Sequence, residues 1–421
     1  MTPRRSPIWH PFTQHGIEHD MPEIARAHGA WLETVDGKRI FDAISSWWVI
    51  THGHCHPKIV AAIQQQASTL DQVIFAGFTH APAETVASHL IDMAPAGLAH
   101  VFFSDSGSTA VEVALKMALG YWRNRGEART RILALEHAYH GDTVGTMSAG
   151  ARGVFNAPYE PLLFDVGRIP LPLAGQEQQS FVALDAACRS GNIAAFICEP
   201  LILGAGGMMM YSADALAELH RIAKMHGVLF IADEVMTGFG RTGRTFACDH
   251  AHITPDILCL AKGLTGGSMP LAATLCTEAI FDAHVATDRA RMFFHSSSYT
   301  ANPIACAAAA ANLEIWQTKP VGTRIAALAE MQRDALCALQ QDARFSNVRQ
   351  IGTITAFDVA SSDEGYLSDI ALPLRRACLD RGVLTRPLGS TIYVMPPYCT
   401  TKPELTHVYA AISDAVDEVT A

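Results

Sequence analysis

Lys262 closes an apolar run in the stretch PDILCLAKGLTGG, and 29 residues earlier Asp233 closes another in GVLFIADEV. A primary amine condenses with an aldehyde, and a carboxylate set against a pyridine nitrogen keeps that ring protonated and electron-withdrawing. Those are the two demands of pyridoxal 5′-phosphate (PLP) chemistry, so PLP is the expected cofactor, with Lys262 and Asp233 as catalytic groups. Gly263, Thr265, Gly266 and Gly267 follow the lysine and let the backbone approach a ligand closely. A desolvated lysine near other cations loses its proton readily and becomes nucleophilic at neutral pH. Taken singly, each residue has an ordinary alternative, a surface lysine or an acid capping a helix. It is the pair, each member at the end of a strand-like run, that points to a site.

Two further segments supply what such a cofactor needs. Ser104-Asp-Ser-Gly-Ser108 lies between a strand and a helix, where open N–H groups and hydroxyls favour an anion. A phosphate cradle is the reading this turn supports, against the plain alternative of a helix cap. Ala138-Tyr139-His140-Gly141-Asp142 follows the strand-like RILAL, and Tyr139 can stack on a ring and reach a substrate with its hydroxyl. Arg386, in LTRPLG between two apolar runs, has the fork geometry that grips a carboxylate.

These residues must be held by a scaffold, and the pattern predicts one. Val101–Phe103, Arg131–Leu135, Ile193–Cys198, Val228–Ala232, Ile257–Leu260 and Leu271–Leu275 read as strands. Val111, Ala114, Leu115, Ala118, Leu119 and Trp122 mark one helix face, and Ala213–His226 is a helix closed by Gly227. Strands separated by helices predict an α/β fold with a mostly parallel sheet covered on both sides. Beyond about residue 310 the pattern changes to helices, GTITAFDV, and a two-stranded reading of VLTRPLGSTIYVMPPY turned at Leu388–Ser390. Thr401-Lys-Pro-Glu404 reads as a capping box before the last helix. The expected division is a large domain over 46–315, a smaller one over 316–421, and an N-terminal segment, 1–45, packed on the smaller.

Composition narrows the function. The chain has 421 residues, 49% hydrophobic and 17% charged, with a net charge of −10. Such a balance is globular and disfavours general affinity for nucleic acid or anionic membrane. No run reaches the length of a membrane span, the N-terminus has no secretory pattern, and ten cysteines lie scattered without a C-x-x-C pair. A cytoplasmic protein with reduced thiols is expected. Gly238-Phe-Gly240-Arg-Thr-Gly243 matches G-x-G-x-x-G but is not followed by an amphipathic helix, so dinucleotide binding is not expected. The histidines at 52, 54 and 56 and at 250 and 252 fit no common zinc spacing, and no metal is expected.

In chain order, SDSGS, AYHGD, an ICEP strand end, IADEVMTGFGRTG and LAKGLTGG resemble the class III aminotransferases of PLP fold type I. Trp9-His10-Pro11-Phe12-Thr13, Ser45-Ser46-Trp47-Trp48, Thr385-Arg386-Pro387 and Tyr393–Tyr398 resemble a branch of that family acting in biotin synthesis. The resemblance implies a large sheet domain with a smaller α+β domain, and a homodimer with active sites at the subunit interface. It implies that Lys262 holds PLP, with Gly107, Ser108, Tyr139, Asp233, Ser297 and Ser298 as further cofactor contacts. Phe12, Trp47, Tyr139, Lys262, Ser296, Arg386 and Tyr393 would meet substrate, with Asp142, Glu199 and Arg241 supporting them. The implied reaction moves an amino group onto 8-amino-7-oxononanoate to give 7,8-diaminononanoate, with S-adenosylmethionine as donor. Phe12 replaces a tyrosine of some relatives and His295-Ser-Ser-Ser298 replaces a His-Gly-Pro-Thr run. Lysine as donor, or another ω-amino acid or diamine substrate, are the alternatives these departures leave.

Overall fold

The computed structural model describes residues 7–19, 21–360 and 365–420. Seven strands form its main sheet, in the order Leu98–Ser104, Ala272–Thr277, Ile257–Leu260, Leu229–Asp233, Ile193–Cys198, Arg131–Leu135 and Gly167–Ile169. From Ile257–Leu260 to Gly167–Ile169 every pairing is parallel. Ala272–Thr277 runs against both its neighbours. Between Leu260 and Ala272 the chain makes only a 3₁₀ turn, Lys262–Thr265, and a loop. That is too short for the crossover a parallel pairing needs.

The inner strands are buried on both faces, as helices on each side require. Ile197 and Ile231 pack with Val111, Ala114 and Ala118 of the helix Gly107–Asn124. Their neighbours Phe196 and Phe230 point the other way, into a core shared with Leu216, Leu219 and Ala223 of the helix Ala213–Met225. One expected core position differs: Leu119 is 38% exposed. It lies eight residues after Val111, about 80° around the helix, and so leaves the sheet-facing stripe that Trp122 regains.

The C-terminal part has a three-stranded antiparallel sheet of Phe345–Ile351, Ile354–Val359 and Thr391–Val394. Helices Val321–Leu339, Ala371–Asp380 and Lys402–Thr420 share a core with it. Thr401 N and Oγ1 both donate to Glu404 Oε2 at 2.8 Å, which closes the start of the last helix. Near the N-terminus, Ile24–His28, Trp31–Thr34 and Arg39–Asp42 form a second sheet, extended by Val383–Leu384 in parallel with Arg39–Asp42. The first six residues lie outside the described residues.

That last pairing corrects the expected hairpin over 383–398. Leu388 and Thr391 do form an antiparallel bridge, but the strands on either side join different sheets. The segment between them contains Pro387, which cannot donate to a ladder. Two flanking strands in different sheets bring residues 385–390 across the gap between the N-terminal and C-terminal sheets.

The GFGRTG segment folds as a loop packed around Glu234. This carboxylate is fully buried and accepts from Ala247 N at 2.6 Å, Cys248 N at 2.8 Å and Thr237 Oγ1 at 3.2 Å. Tyr398 Oη donates to Phe239 O at 2.6 Å, tying the loop to the C-terminal part. Replacing Glu234 with Ala leaves two buried N–H groups unpaired, which should destabilise folding by ~3 kcal/mol. Equilibrium urea unfolding of the Glu234→Ala protein measures this; a loss below ~1 kcal/mol contradicts the assigned role.

Candidate active site

The strands Leu229–Asp233 and Ile257–Leu260 end side by side, with Asp233 opposite Cys259. Three residues beyond Cys259 the chain places Lys262 in the same cleft as Asp233, at the carboxyl edge of the sheet. The cleft has a volume of about 430 Å³. Phe12, Trp47, Gly107, Ser108, Tyr139, Glu199, Asp233, Lys262, Arg386 and Tyr393 all line it.

Lys262 is held in a left-handed conformation, φ 43°, at the start of the 3₁₀ turn. Its Nζ lies 4.6 Å from the ring centroid of Trp48. Burial lowers the amine from 10.5 to about 8, against the pull of the Asp233 and Glu199 charges. At pH 7 about a tenth of such a group is neutral, against about one in three thousand for an ordinary lysine.

Asp233 is 4% exposed; Oδ1 accepts from Val235 N at 3.1 Å and Oδ2 pairs with His140 Nδ1 at 2.6 Å. Glu199, behind the pocket, accepts from Tyr139 N and from Gly204 N, each at 3.0 Å. Burial raises its carboxyl to about 7. Burial and the nearby Asp142 charge push the Tyr139 phenol well above its usual range, so it stays a hydrogen-bond donor.

The helix Gly107–Asn124 opens at the cleft, capped by Ser106 Oγ accepting from Thr109 N. Its first-turn N–H groups have no carbonyl of the helix to bond and are suited to an anion. Glycine is needed at two points of this cradle. A Cβ on Gly107 would lie 2.5 Å from Val235 Cγ1, and one on Gly141 (φ 130°) would lie 2.1 Å from Ser108 Oγ. Asp142 N in turn donates to Ser108 Oγ at 3.3 Å.

At the mouth, Arg386 lies 5.0 Å over the Trp47 ring and donates to Phe12 O at 2.7 Å. Among the described residues no carboxylate forms an ion pair with it. Tyr393 Oη accepts from Trp48 Nε1 at 2.9 Å. Arg241 is 1% exposed and stands behind the wall, donating to Trp48 O, Ile50 O and Pro396 O. Ser296, Ser297 and Ser298 do not line this cleft; their segment lies beside Gln72, whose Nε2 donates to Ser298 O at 2.5 Å.

The architecture has counterparts among known proteins. A family profile described as aminotransferase class-III matches residues 14–416. The chain belongs to the class-III aminotransferase family. It is 48% identical to the adenosylmethionine-8-amino-7-oxononanoate aminotransferase of Synechococcus elongatus, over 99% of this chain and 100% of that one. Among solved structures, it is similar to the enzyme of the same name from Methanocaldococcus jannaschii, with TM-score 0.93 and 33% identity over 98% and 97% of the two chains. An amine transaminase of an uncultivated Pseudomonas species, in its PLP-bound form, gives TM-score 0.93 and 32% identity over 99% of each chain. The fold is therefore PLP fold type I, and the protein is an aminotransferase.

Residues that the sequence alone did not single out also stand in the cleft. His140 meets Asp233, Trp48 lies against Lys262, and Phe155 and Tyr366 meet edge to face at 4.6 Å. His140 was readable as part of AYHGD, but its partner is 93 residues away. Phe155 and Tyr366 sit in segments with no motif at all.

The site gives a direct expectation for Lys262. In cofactor-stripped protein, its rate of condensation with added pyridoxal phosphate should rise with pH through a midpoint near 8, where the amine becomes neutral. Stopped-flow absorbance checks this, and a midpoint above 10 would show an ordinary solvated lysine.

Proposed function

We propose that the protein transfers an amino group to 8-amino-7-oxononanoate, giving 7,8-diaminononanoate in biotin synthesis, with PLP as cofactor and S-adenosylmethionine as donor. The observation that carries the reading is a lysine amine buried with Asp233 in a cleft whose mouth holds an arginine with no carboxylate partner among the described residues. The relatives' shared name supplies the substrate pair.

The residues present fit the cofactor. Lys262 would hold its aldehyde carbon, Asp233 its ring nitrogen, and Gly107 and Ser108 its phosphate, with Tyr139 beside the ring. Once bound, PLP supplies an electron sink for the bond that breaks at the amine-bearing carbon. Asp233, oriented by His140, favours a proton on the ring nitrogen. Lys262 Nζ takes the proton from the donor's amine-bearing carbon and later returns one to the acceptor's carbon, as base and then acid. An amine at about 8 is suited to both tasks. Arg386 would bind the acceptor's carboxylate bidentately while Trp47, Phe12 and Tyr393 enclose its chain. Asp142, Glu199 and Arg241 act through the groups they hold.

We infer a homodimer in which Ser296, Ser297 and Ser298 serve the partner's site, Ser297 and Ser298 at the cofactor and Ser296 at the substrate. Support comes from Phe294 and Tyr299, each 63% exposed beside these serines, large rings that contact with a second copy would cover. We place the large cofactor domain at 46–315 and the smaller at 316–421, with 1–45 against it. Ten free cysteines fit a reducing, cytoplasmic setting. Among the described residues no helix is long and apolar enough to cross a membrane.

Lysine as donor is the second reading, favoured by Phe12, which offers no hydroxyl to the pocket. The similarity to an amine transaminase keeps other ω-amino acids or diamines as a further reading of the same cleft. Lys262→Ala should abolish turnover of the keto acid, and persistence of activity would overturn the mechanism. Arg386→Ala should raise the KM for the keto acid about a hundredfold while leaving the donor half-reaction within a few-fold. Single-turnover assays with S-adenosylmethionine and with lysine, at fixed keto acid, decide the donor.

A further inference from the structure

The turn that carries the two tryptophans is held in an uncommon backbone conformation. Ser45, Ser46 and Trp48 have φ values of 53°, 60° and 66°, and none is glycine. Such residues persist only where the surroundings over-determine them. Ser45 Oγ donates to Met395 O at 2.8 Å, and Arg241 holds the carbonyls of Trp48 and Ile50. The hydrogen bonds of Ser46 converge on one carboxylate, Asp42.

Asp42 ends the strand Arg39–Asp42 and is fully buried. Oδ1 accepts from Ser46 N at 2.7 Å, and Oδ2 accepts from Ser46 Oγ at 3.0 Å. His54 Nε2 meets Oδ2 at 2.8 Å, and the His54 backbone N–H donates to Gly29 O at 2.7 Å. Both oxygens therefore grip Ser46, the residue immediately before Trp47. Asp42 also pairs in register with Leu384, two residues before Arg386. One strand end thus stands between the segment that supplies the tryptophans and the segment that supplies the arginine.

We propose that Asp42 is a positioning residue of the substrate pocket: its carboxylate, oriented by His54, holds the 45–48 turn so that Trp47 stays under Arg386 and Trp48 against Lys262. Among the described residues, Asp42 accepts both the N–H and the Oγ–H of Ser46. An asparagine there has the same shape but one acceptor oxygen in place of two, so it keeps the Ser46 N–H only by losing the acceptor that Ser46 Oγ and His54 share. The turn then has a route to relax toward ordinary φ values, which would swing both indoles. The role rests on the reading of this cleft as a keto-acid site.

The test is Asp42→Asn in the PLP-loaded enzyme, alone and combined with Trp47→Ala. The KM for 8-amino-7-oxononanoate should rise about tenfold in Asp42→Asn, as displacement of a pocket wall would cause. In the Trp47→Ala background the same change should add less than twofold to KM, because at the mouth of the cleft the turn acts through the Trp47 ring, whereas Trp48 faces Lys262. A folded Asp42→Asn enzyme with KM within twofold of wild type, or losses that simply multiply, overturns the proposal. If Asp42→Asn does not fold, Ser46→Gly keeps the backbone conformation accessible and removes only the Oγ contact. It should raise KM about threefold with the same non-additivity, and an unchanged KM overturns the proposal. Should wild-type protein fail to turn over the keto acid, the functional reading falls while the positioning role is still read from near-ultraviolet circular dichroism. Asp42→Asn should then change the tryptophan bands with an unchanged far-ultraviolet spectrum; unchanged bands count against it.

Discussion

Enclosing a lysine amine away from water is the constraint on which the rest of this structure depends. An isolated buried ammonium is strongly disfavoured, and a buried lysine answers by giving up its proton more easily. Lys262 is caught between two opposing influences. Burial lowers its proton affinity, while Asp233 and Glu199 sustain it. Neither carboxylate forms a direct ion pair with it: Asp233 is engaged by His140 and Val235 N, Glu199 by two backbone amides. The amine therefore remains free for an incoming aldehyde, facing an indole ring that tolerates both its charged and its neutral forms.

The scaffold serves this arrangement by bringing strand ends together. Parallel strands all finish at one edge, so residues far apart in sequence, near 104, 138, 199, 233 and 262, reach one cleft. Polar groups behind the cleft are chiefly satisfied by backbone. Arg241 is spent entirely on three carbonyls, and Glu234 on two amides and a hydroxyl. These bonds fix loops whose own sequences, rich in glycine and small residues, would not choose one conformation.

How much of this was legible before folding depended on the range of the interaction. Strand and helix identities were readable because their signal is local: Ile193–Cys198 and Ile257–Leu260 coincide with the expected strands, and Ala213–Met225 falls one residue short of the expected helix. Lys262, Asp233 and the Ser104–Ser108 turn were readable because strand ends carry ligands in such sheets. What escaped were pairings across the chain. The bond from His140 to Asp233, the grip of Asp42 on Ser46 with His54, and the indole of Trp48 against Lys262 depend on which strand lies beside which. The hairpin expected over 383–398 failed for the same reason. Alternation and a turn signal are local, but the partner of each strand is decided by the sheet that has a free edge.

The floor and the mouth of the cleft are thereby built from different parts of the chain. The amine, its carboxylate and the helix start suited to an anion come from ends of the main sheet. The mouth of the cleft instead takes Phe12 from the N-terminal segment, Trp47 from the Ser45–Trp48 turn, Phe155 from a loop, and Tyr366, Arg386 and Tyr393 from the C-terminal part. Those rings touch one another, Phe12 with Trp47 and Phe155, and Phe155 with Tyr139 and Tyr366. A change in one of them reshapes the mouth without disturbing the strands that aim the lysine. A family with one chemistry and many substrates needs that separation, and here it follows from drawing the mouth from segments outside the central sheet.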